Sequence, residues 1–339
     1  MKALSITGLK EIKTVELEKP VAKAGEVVLK LHYVGFCGSD LNTFLGRNTM
    51  AKANVIPGHE IGATIEAVGE GVPETLKVGD SVTVNPYTAC GVCPSCRNLR
   101  ENACQHNETL GVQRDGAMRE YIALPWKKVI PVKGISLRDS ALIEPMSVGF
   151  HAVARAQVCD NDVVVVLGCG MVGLGAVVRA VQRGATVIAV DLSQEKLDLA
   201  KKLGAKYGIN SKTDKILDKV LEYTDGMGAD VVIEAVGSPI TYVSAIDAVS
   251  FTGRVVCIGY AKADVSFQTK YFVQKELDIR GSRNAMPDDF RGVIHYLQNT
   301  SIDMTPFVSG VIAPSDAQTA LENWAADPGK VFRILVKFA

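Results

Sequence analysis

The chain has 339 residues, 47% hydrophobic and 22% charged, with 37 basic side chains against 37 acidic ones. At roughly 150 residues per domain this length predicts two domains, long enough to bury a core without disulfides. Zero net charge and no long run of like charge argue against nucleic acid or a membrane surface as a partner.

The opening stretch, MKALSITGLKEIKTVELEKP, lacks the apolar segment of a secretory signal. The most apolar run, Val163 to Val178, falls short of the ~20 residues that span a bilayer. The chain is therefore expected in the cytoplasm, where thiols stay reduced. Residues 1–145 carry short alternating or β-branched runs such as EVVLKLHYVG, IGATIEAVGEG and GDSVTV, punctuated by glycine. They predict short antiparallel strands in a barrel-type unit.

Within this region stand GFCGSD, with Cys37, Ser39 and Asp40, and IPGHEIGA, with His59 and Glu60; LIEPMSVGFHAV follows later with Glu144. Each alone reads most simply as packing or a solvated face, and Ser39 also as a helix N-cap. Between them, Cys90, Cys93, Cys96 and Cys104 have the spacing C-x2-C-x2-C-x7-C. Four thiolates satisfy zinc as a closed tetrahedron, which predicts a structural ion rather than a catalytic one. Iron–sulfur chemistry shares the first three positions, but its bacterial form places the fourth cysteine three residues on and follows it with proline. Here Gln105 follows. Disulfides and free thiols complete the alternatives.

After about residue 150 the pattern changes. DVVVVLG, ATVIAVD, YGIN, GADVVIEAVG, GRVVCIG and ELDIRGS are apolar runs separated by helix-like segments. Six such strands predict a parallel, doubly wound sheet. The first runs into Gly168, Gly170 and Gly173, a G-x-G-x-x-G that also includes Met171 and Val172 and opens a helix. The first glycine permits a tight turn, the second lets backbone approach a pyrophosphate, and the third allows close helix–strand packing. Asp191 ends the next strand, where a carboxylate accepts the ribose hydroxyls of NAD and disfavours the phosphate of NADP; Lys196 is within reach of the same ribose. The tail reads as a helix, PDDFRGVIHYLQN, and a terminal strand, FRILVKFA.

Taken together, C-G-S-D, G-H-E, the four-cysteine lobe, E-P, G-x-G-x-x-G and Asp191 follow one order from end to end. In this the chain resembles the zinc-dependent medium-chain dehydrogenases, the family of alcohol, sorbitol and threonine dehydrogenases. The resemblance implies an α/β protein: a GroES-like β-barrel domain from residues 1–148 and 285–339, its zinc lobe at about 88–106, and a Rossmann domain at 149–284. It further implies that Cys37, His59 and Glu144 hold a catalytic zinc and that Glu60 is an exchangeable ligand. Asp40 would orient His59, and Ser39 would relay the substrate proton. Two zinc ions and NAD per chain, and a homodimer or homotetramer, are implied likewise. Met171 stands where the family often has proline, and DGAMREY has Ala117 where a glycine is commoner.

The expected substrate is a small polar alcohol. Arg47 and Asn48 lie in the loop between the early motifs, and Arg283 and Asn284 lie in GSRNAMPDDF; arginine pairs bidentately with carboxylate. Both segments resemble the bacterial dehydrogenases that oxidise hexonates such as galactonate or idonate at carbon 5. A polyol or L-threonine is the alternative substrate. From a different class, the chain reads as a non-catalytic, zinc-stabilised sensor of NAD.

Overall fold

The computed structural model describes residues 1–339, which divide into two compact units, Met1–Glu144 with Met286–Ala339, and Pro145–Ala285. The first break falls a few residues ahead of 148/149 because the helix Ile143–Ala156 runs unbroken through that point, leaving no loop to mark it.

The chain begins with strands β1 (Lys2–Gly8), β2 (Glu11–Glu16), β3 (Glu26–Phe36), β4 (Glu60–Val68), β5 (Ser81–Val84), β6 (Tyr121–Pro125) and β7 (Val129–Pro131). The second unit supplies β8 (Val163–Leu167), β9 (Thr186–Asp191), β10 (Tyr207–Asn210), β11 (Ala229–Glu234), β12 (Val249–Cys257) and β13 (Asp278–Gly281). The chain then returns to the first unit with β14 (Gly310–Ile312) and β15 (Ile334–Lys337).

In the first unit the sheet order is β14-β15-β3-β4-β5-β7, with β6 also on β3, and β1 and β2 form a separate ribbon. Only the β14–β15 pair is parallel. The long strand β3 is the hub, pairing with β4, β6 and β15. Its Leu29, Leu31 and Phe36 are fully buried with Ile61, Ile65 and Met118. Burying each such side chain contributes about 1.5–3 kcal/mol, so the ends of β3 and β4 are firm supports for whatever they carry.

The second unit is a parallel sheet in the order β10-β9-β8-β11-β12-β13. All six apolar runs appear as strands. Val164 to Leu167 of β8 are wholly buried, as befits a central strand covered on both faces. The order reverses direction between β8 and β11, and ligands of such sheets bind at the carboxyl ends of the strands beside that switch. No helix is long and apolar enough to cross a membrane.

Candidate functional site

The four-cysteine lobe has almost no apolar core of its own; its buried cluster is Cys93, Cys96 and Cys104. Val92 and Leu99 beside them are exposed. The sulfurs of Cys90, Cys93, Cys96 and Cys104 lie within 4.8 Å of one another, with Cys93 Sγ 3.5 Å from Cys96 Sγ and 3.8 Å from Cys104 Sγ. These separations are far beyond the ~2.05 Å of a disulfide. They suit one tetrahedral zinc, whose ~2.3 Å bonds place sulfurs about 3.8 Å apart. The Ser95 hydroxyl and the backbone N–H groups of Cys96 and Gln105 hold the Cys93 thiol down at about 5. The backbone N–H groups of Cys90 and His106 both donate to Cys104 Sγ at 3.3 Å. Such donors favour thiolates, the form that ligates metal.

A second group is assembled from separate elements. Cys37 directly follows β3 and is the N-cap of the helix Gly38–Phe44, while Glu60 opens β4 with His59 just ahead of it. The pairing of Gly35 with Glu60 across the two strands brings them together. A Cβ on Gly35 would lie 2.2 Å from Glu60 Oε2, so only glycine leaves room for this carboxylate. One donor atom from each of Cys37, His59 and Glu60 lies within 4.8 Å of the other two.

This group is buried and charged. Burial pushes the Glu60 carboxyl well above the usual range, although the Arg333 guanidinium pulls the other way. Burial also presses the His59 imidazole toward neutrality, but Cys37, Asp40 and Glu144 outweigh it and hold the ring cationic. The Cys37 thiol, pushed up by burial, is brought down to about 7 by its hydrogen bond with His59 and the charges of His59 and Arg333. His59 Nδ1, both oxygens of Glu60, Ser39 Oγ and Asp40 Oδ1 are buried without hydrogen-bond partners. Each orphaned atom costs about 1–3 kcal/mol. A sulfur, an imidazole and a carboxylate converging in a buried site suit a zinc ion with fewer than four protein ligands, whose binding would displace the imidazolium proton.

The arrangement differs from expectation in three places. Glu144 is not one of the converging trio: its Oε1 accepts the Tyr87 hydroxyl instead. Asp40 makes no hydrogen bond to His59. As the third helical residue after the Cys37 N-cap, it folds back so that its Oδ2 accepts the Cys37 N–H at 2.8 Å. Ser39 is not an N-cap, since Cys37 holds that position.

In the second unit, Gly168 adopts φ +93°, and a Cβ on Gly173 would meet the Gly168 carbonyl oxygen at 1.8 Å. A Cβ on Gly170, the N-cap of the helix Met171–Gln182, would meet nothing within 4 Å. The turn is therefore closed on its inner side and open above Gly170, as a pyrophosphate cradle requires. Met171 is buried in the first helical turn and Val172 half-buried beside it. Asp191 Oδ2 accepts the Cys169 N–H at 2.8 Å and Oδ1 accepts the Ser193 N–H at 2.9 Å, which ties the acid to the glycine turn. Lys196 is buried in the following helix.

Arg47 is exposed. Asn48 is spent on its own loop, donating to Thr43 Oγ1 at 3.0 Å and accepting from the Met50 N–H at 3.1 Å. Arg283 and Asn284 belong to the second unit, half-buried, with Asn284 at φ +54°. Two residues of the first unit escape sequence reasoning. Arg333, 5% exposed just ahead of β15, places Nε 3.1 Å from Glu60 Oε2 and donates to the Phe36 carbonyl at 2.7 Å. Tyr87 bonds Glu144. Neither has a spacing signal; a basic residue before an apolar terminal strand is the only hint for the first.

Comparisons with known proteins agree with this fold. Residues 23–134 match the family model for the alcohol dehydrogenase GroES-like domain, and residues 172–299 the model for zinc-binding dehydrogenase. The chain is 33% identical to sorbitol dehydrogenase of Halalkalibacterium halodurans, over 99% of both proteins. It is also 33% identical to L-galactonate-5-dehydrogenase of Escherichia coli, over 84% of this chain and 83% of that one. Among solved structures, an alcohol dehydrogenase from Escherichia coli complexed with NADH superposes with TM-score 0.91 at 28% identity, covering 100% of this chain and 99% of the other.

Proposed function

The chain belongs to the zinc-dependent medium-chain dehydrogenase family, and on that premise we propose that it oxidises a secondary hydroxyl of a sugar acid, with NAD as hydride acceptor. It is an oxidoreductase of CH–OH groups that works with zinc and a nicotinamide dinucleotide. The observation that carries the reading is the convergence of Cys37, His59 and Glu60 in a buried site.

Cys37, His59 and Glu60 would hold the catalytic ion, with Glu144 as the carboxylate in reserve, and the four cysteines the structural one. When bound, the catalytic zinc supplies Lewis acidity at the substrate hydroxyl and lowers its pKa. Ser39, its Oγ buried and without a partner, would relay the proton that the hydroxyl releases, passing its own O–H proton on toward solvent as it accepts. Asp191 is preset for NAD. A carboxylate has about four acceptor positions; two are taken by Cys169 and Ser193, leaving two for the paired ribose hydroxyls. A phosphate there would meet this fixed negative charge.

The relative named for L-galactonate supports an acid substrate, with Arg47 or Arg283 pairing its carboxylate. One observation favours a polyol instead: the sorbitol dehydrogenase matches over nearly the whole chain, and Arg47 faces solvent. Measuring NAD reduction with aldonates, polyols and L-threonine decides between them. The fastest turnover on a hexonate is expected; turnover confined to uncharged polyols would move the assignment to that class. We also place the enzyme in the cytoplasm, consistent with eight cysteines that form no disulfide, and infer a homo-oligomer from the family.

A further inference from the structure

We propose that Glu234 is a positioning residue for the dinucleotide: its buried carboxyl fixes the turn after β11 so that Val236 braces Gly168, the first glycine of the cofactor cradle. The inference rests on the dinucleotide assignment above and deepens it. Every residue it uses lies in the second unit.

Glu234 is the last residue of β11 and has no exposed surface. Its register partners are Leu167 on β8 and Cys257 on β12. It therefore stands at the carboxyl end of the sheet, beside the point where the strand order reverses and where ligands of such sheets bind. Main-chain bonds hold it from both sides: the Ala235 N–H donates to the Leu167 carbonyl at 2.9 Å, and the Ile258 N–H to the Glu234 carbonyl at 2.8 Å.

Glu234 Oε1 accepts three hydrogen bonds, from the Val236 N–H at 3.0 Å, the Gly237 N–H at 2.8 Å and the Thr241 hydroxyl at 2.7 Å. The first two donors belong to the turn itself, the third to the opening of the helix Pro239–Ala248. On one side the turn is wedged against the end of β12. Gly237 takes φ +79° and a Cβ there would lie 2.7 Å from the Tyr260 nitrogen, while a Cβ on Gly259 would lie 2.8 Å from Glu234 Oε2. On the other side the turn meets the cradle. Val236 Cγ2 lies 2.6 Å from where a Cβ on Gly168 would stand, so this methyl fills the space that the glycine leaves.

Packing and helix capping do not account for the acid. Val236 is 51% exposed, so the turn is not held to bury it. Ser238 Oγ already caps the helix, accepting the Thr241 N–H at 3.2 Å. Glu234 Oε2 is meanwhile buried without a hydrogen-bond partner, a standing cost to stability. What the acid secures is the shape of a turn pressed against Gly168.

The test compares E234M, which fills the space and accepts nothing, with E234Q, which keeps an acceptor oxygen. D230A is the control at the amino end of the same strand, where Asp230 Oδ2 accepts the Val163 N–H at 2.7 Å. Calorimetry and nucleotide fluorescence measure NAD and NADH binding, and steady-state kinetics separate KM for NAD from kcat. E234M should weaken both dinucleotides about 10–100-fold, the scale of orphaned buried donors. KM for NAD should rise with it while kcat at saturating NAD holds, as for a loss of uniform binding. E234Q should stay near wild type, and D230A should lower the thermal midpoint without moving dinucleotide affinity. The proposal is overturned by wild-type affinity in E234M, by an equal loss in E234Q, or by an equal loss in D230A, which would make Glu234 a general prop of the sheet. If E234M does not fold, E234D, whose carboxyl falls a methylene short of the turn, replaces it under the same criteria. Failure of the dinucleotide assignment is visible separately, as wild-type protein that binds neither NAD nor NADH.

Discussion

The two cysteine-bearing centres of the first unit are built on opposite plans. In the lobe, all four cysteines come from fifteen consecutive residues, and backbone N–H groups and Ser95 converge on their sulfurs. The Cys37 group draws on the ends of two strands, with Arg333 pressed against Glu60 from far along the chain. It leaves His59 Nδ1 and Glu60 Oε1 without partners in the interior, and Glu60 Oε2 with only the Arg333 charge. A set of ligands that saturates its ion can only brace the fold. One that leaves capacity unspent costs stability and has room for a reactant.

The sharpest way to break this contrast is to remove a ligand from the open centre. C37S or H59A should lower turnover on the order of 1,000-fold or more, since Lewis-acid assistance is worth several kcal/mol. NAD affinity and the thermal midpoint should change little. Steady-state NAD reduction and calorimetry check this, and undiminished turnover would remove the metal assignment.

C93S should do the reverse. Structural zinc contributes about 10 kcal/mol or more to folding in small zinc modules, so the lobe should lose its ion and the protein its heat resistance or solubility. Thermal scans with metal analysis report this. A C93S enzyme with native stability but no chemistry would mean that the two centres have been exchanged.

The smallest effect is expected away from both. D191A removes a carboxylate whose hydrogen bonds to ribose are worth about 1.5–3 kcal/mol, so NAD should bind about 10–100-fold more weakly while NADP changes less. Fluorescence titration with both dinucleotides measures it; equal losses would detach Asp191 from the ribose.

Legibility in the sequence followed the range of the forces involved. The central parallel strands were readable because they are apolar on both faces, and the edge strands Tyr207–Asn210 and Asp278–Gly281 because they keep the alternation with helices. The long strand EVVLKLHYVG was readable too, as β3. Which strand would pair with it was not, because alternation marks a face and names no neighbour; β15 finds β3 across some 300 residues. The lobe was legible through spacing, since its ligands are local. For the open centre, motifs gave Cys37, His59 and Glu60, but not the roles of Gly35, Tyr87 and Arg333. A missing Cβ, a phenol and a guanidinium become significant only after the chain has folded against itself. The Asp40–His59 contact was misjudged for a local reason: a carboxylate three residues past an N-cap has a nearer donor in that N-cap's own N–H.

The pairing of β15 with β3 also bears on how the molecule comes to be made. Leu335 sits opposite Gly35, and Arg333 grips the Phe36 carbonyl, with the whole nucleotide-binding unit strung between these partners. During synthesis that intervening unit emerges and can settle on its own contacts while β3 still waits for its neighbour. Closure of the last strand is thus a long-range, late event of the kind that slows folding. Until it happens Glu60 lacks the Arg333 guanidinium, and the nascent protein owns a cofactor cradle well before it owns a working reaction centre.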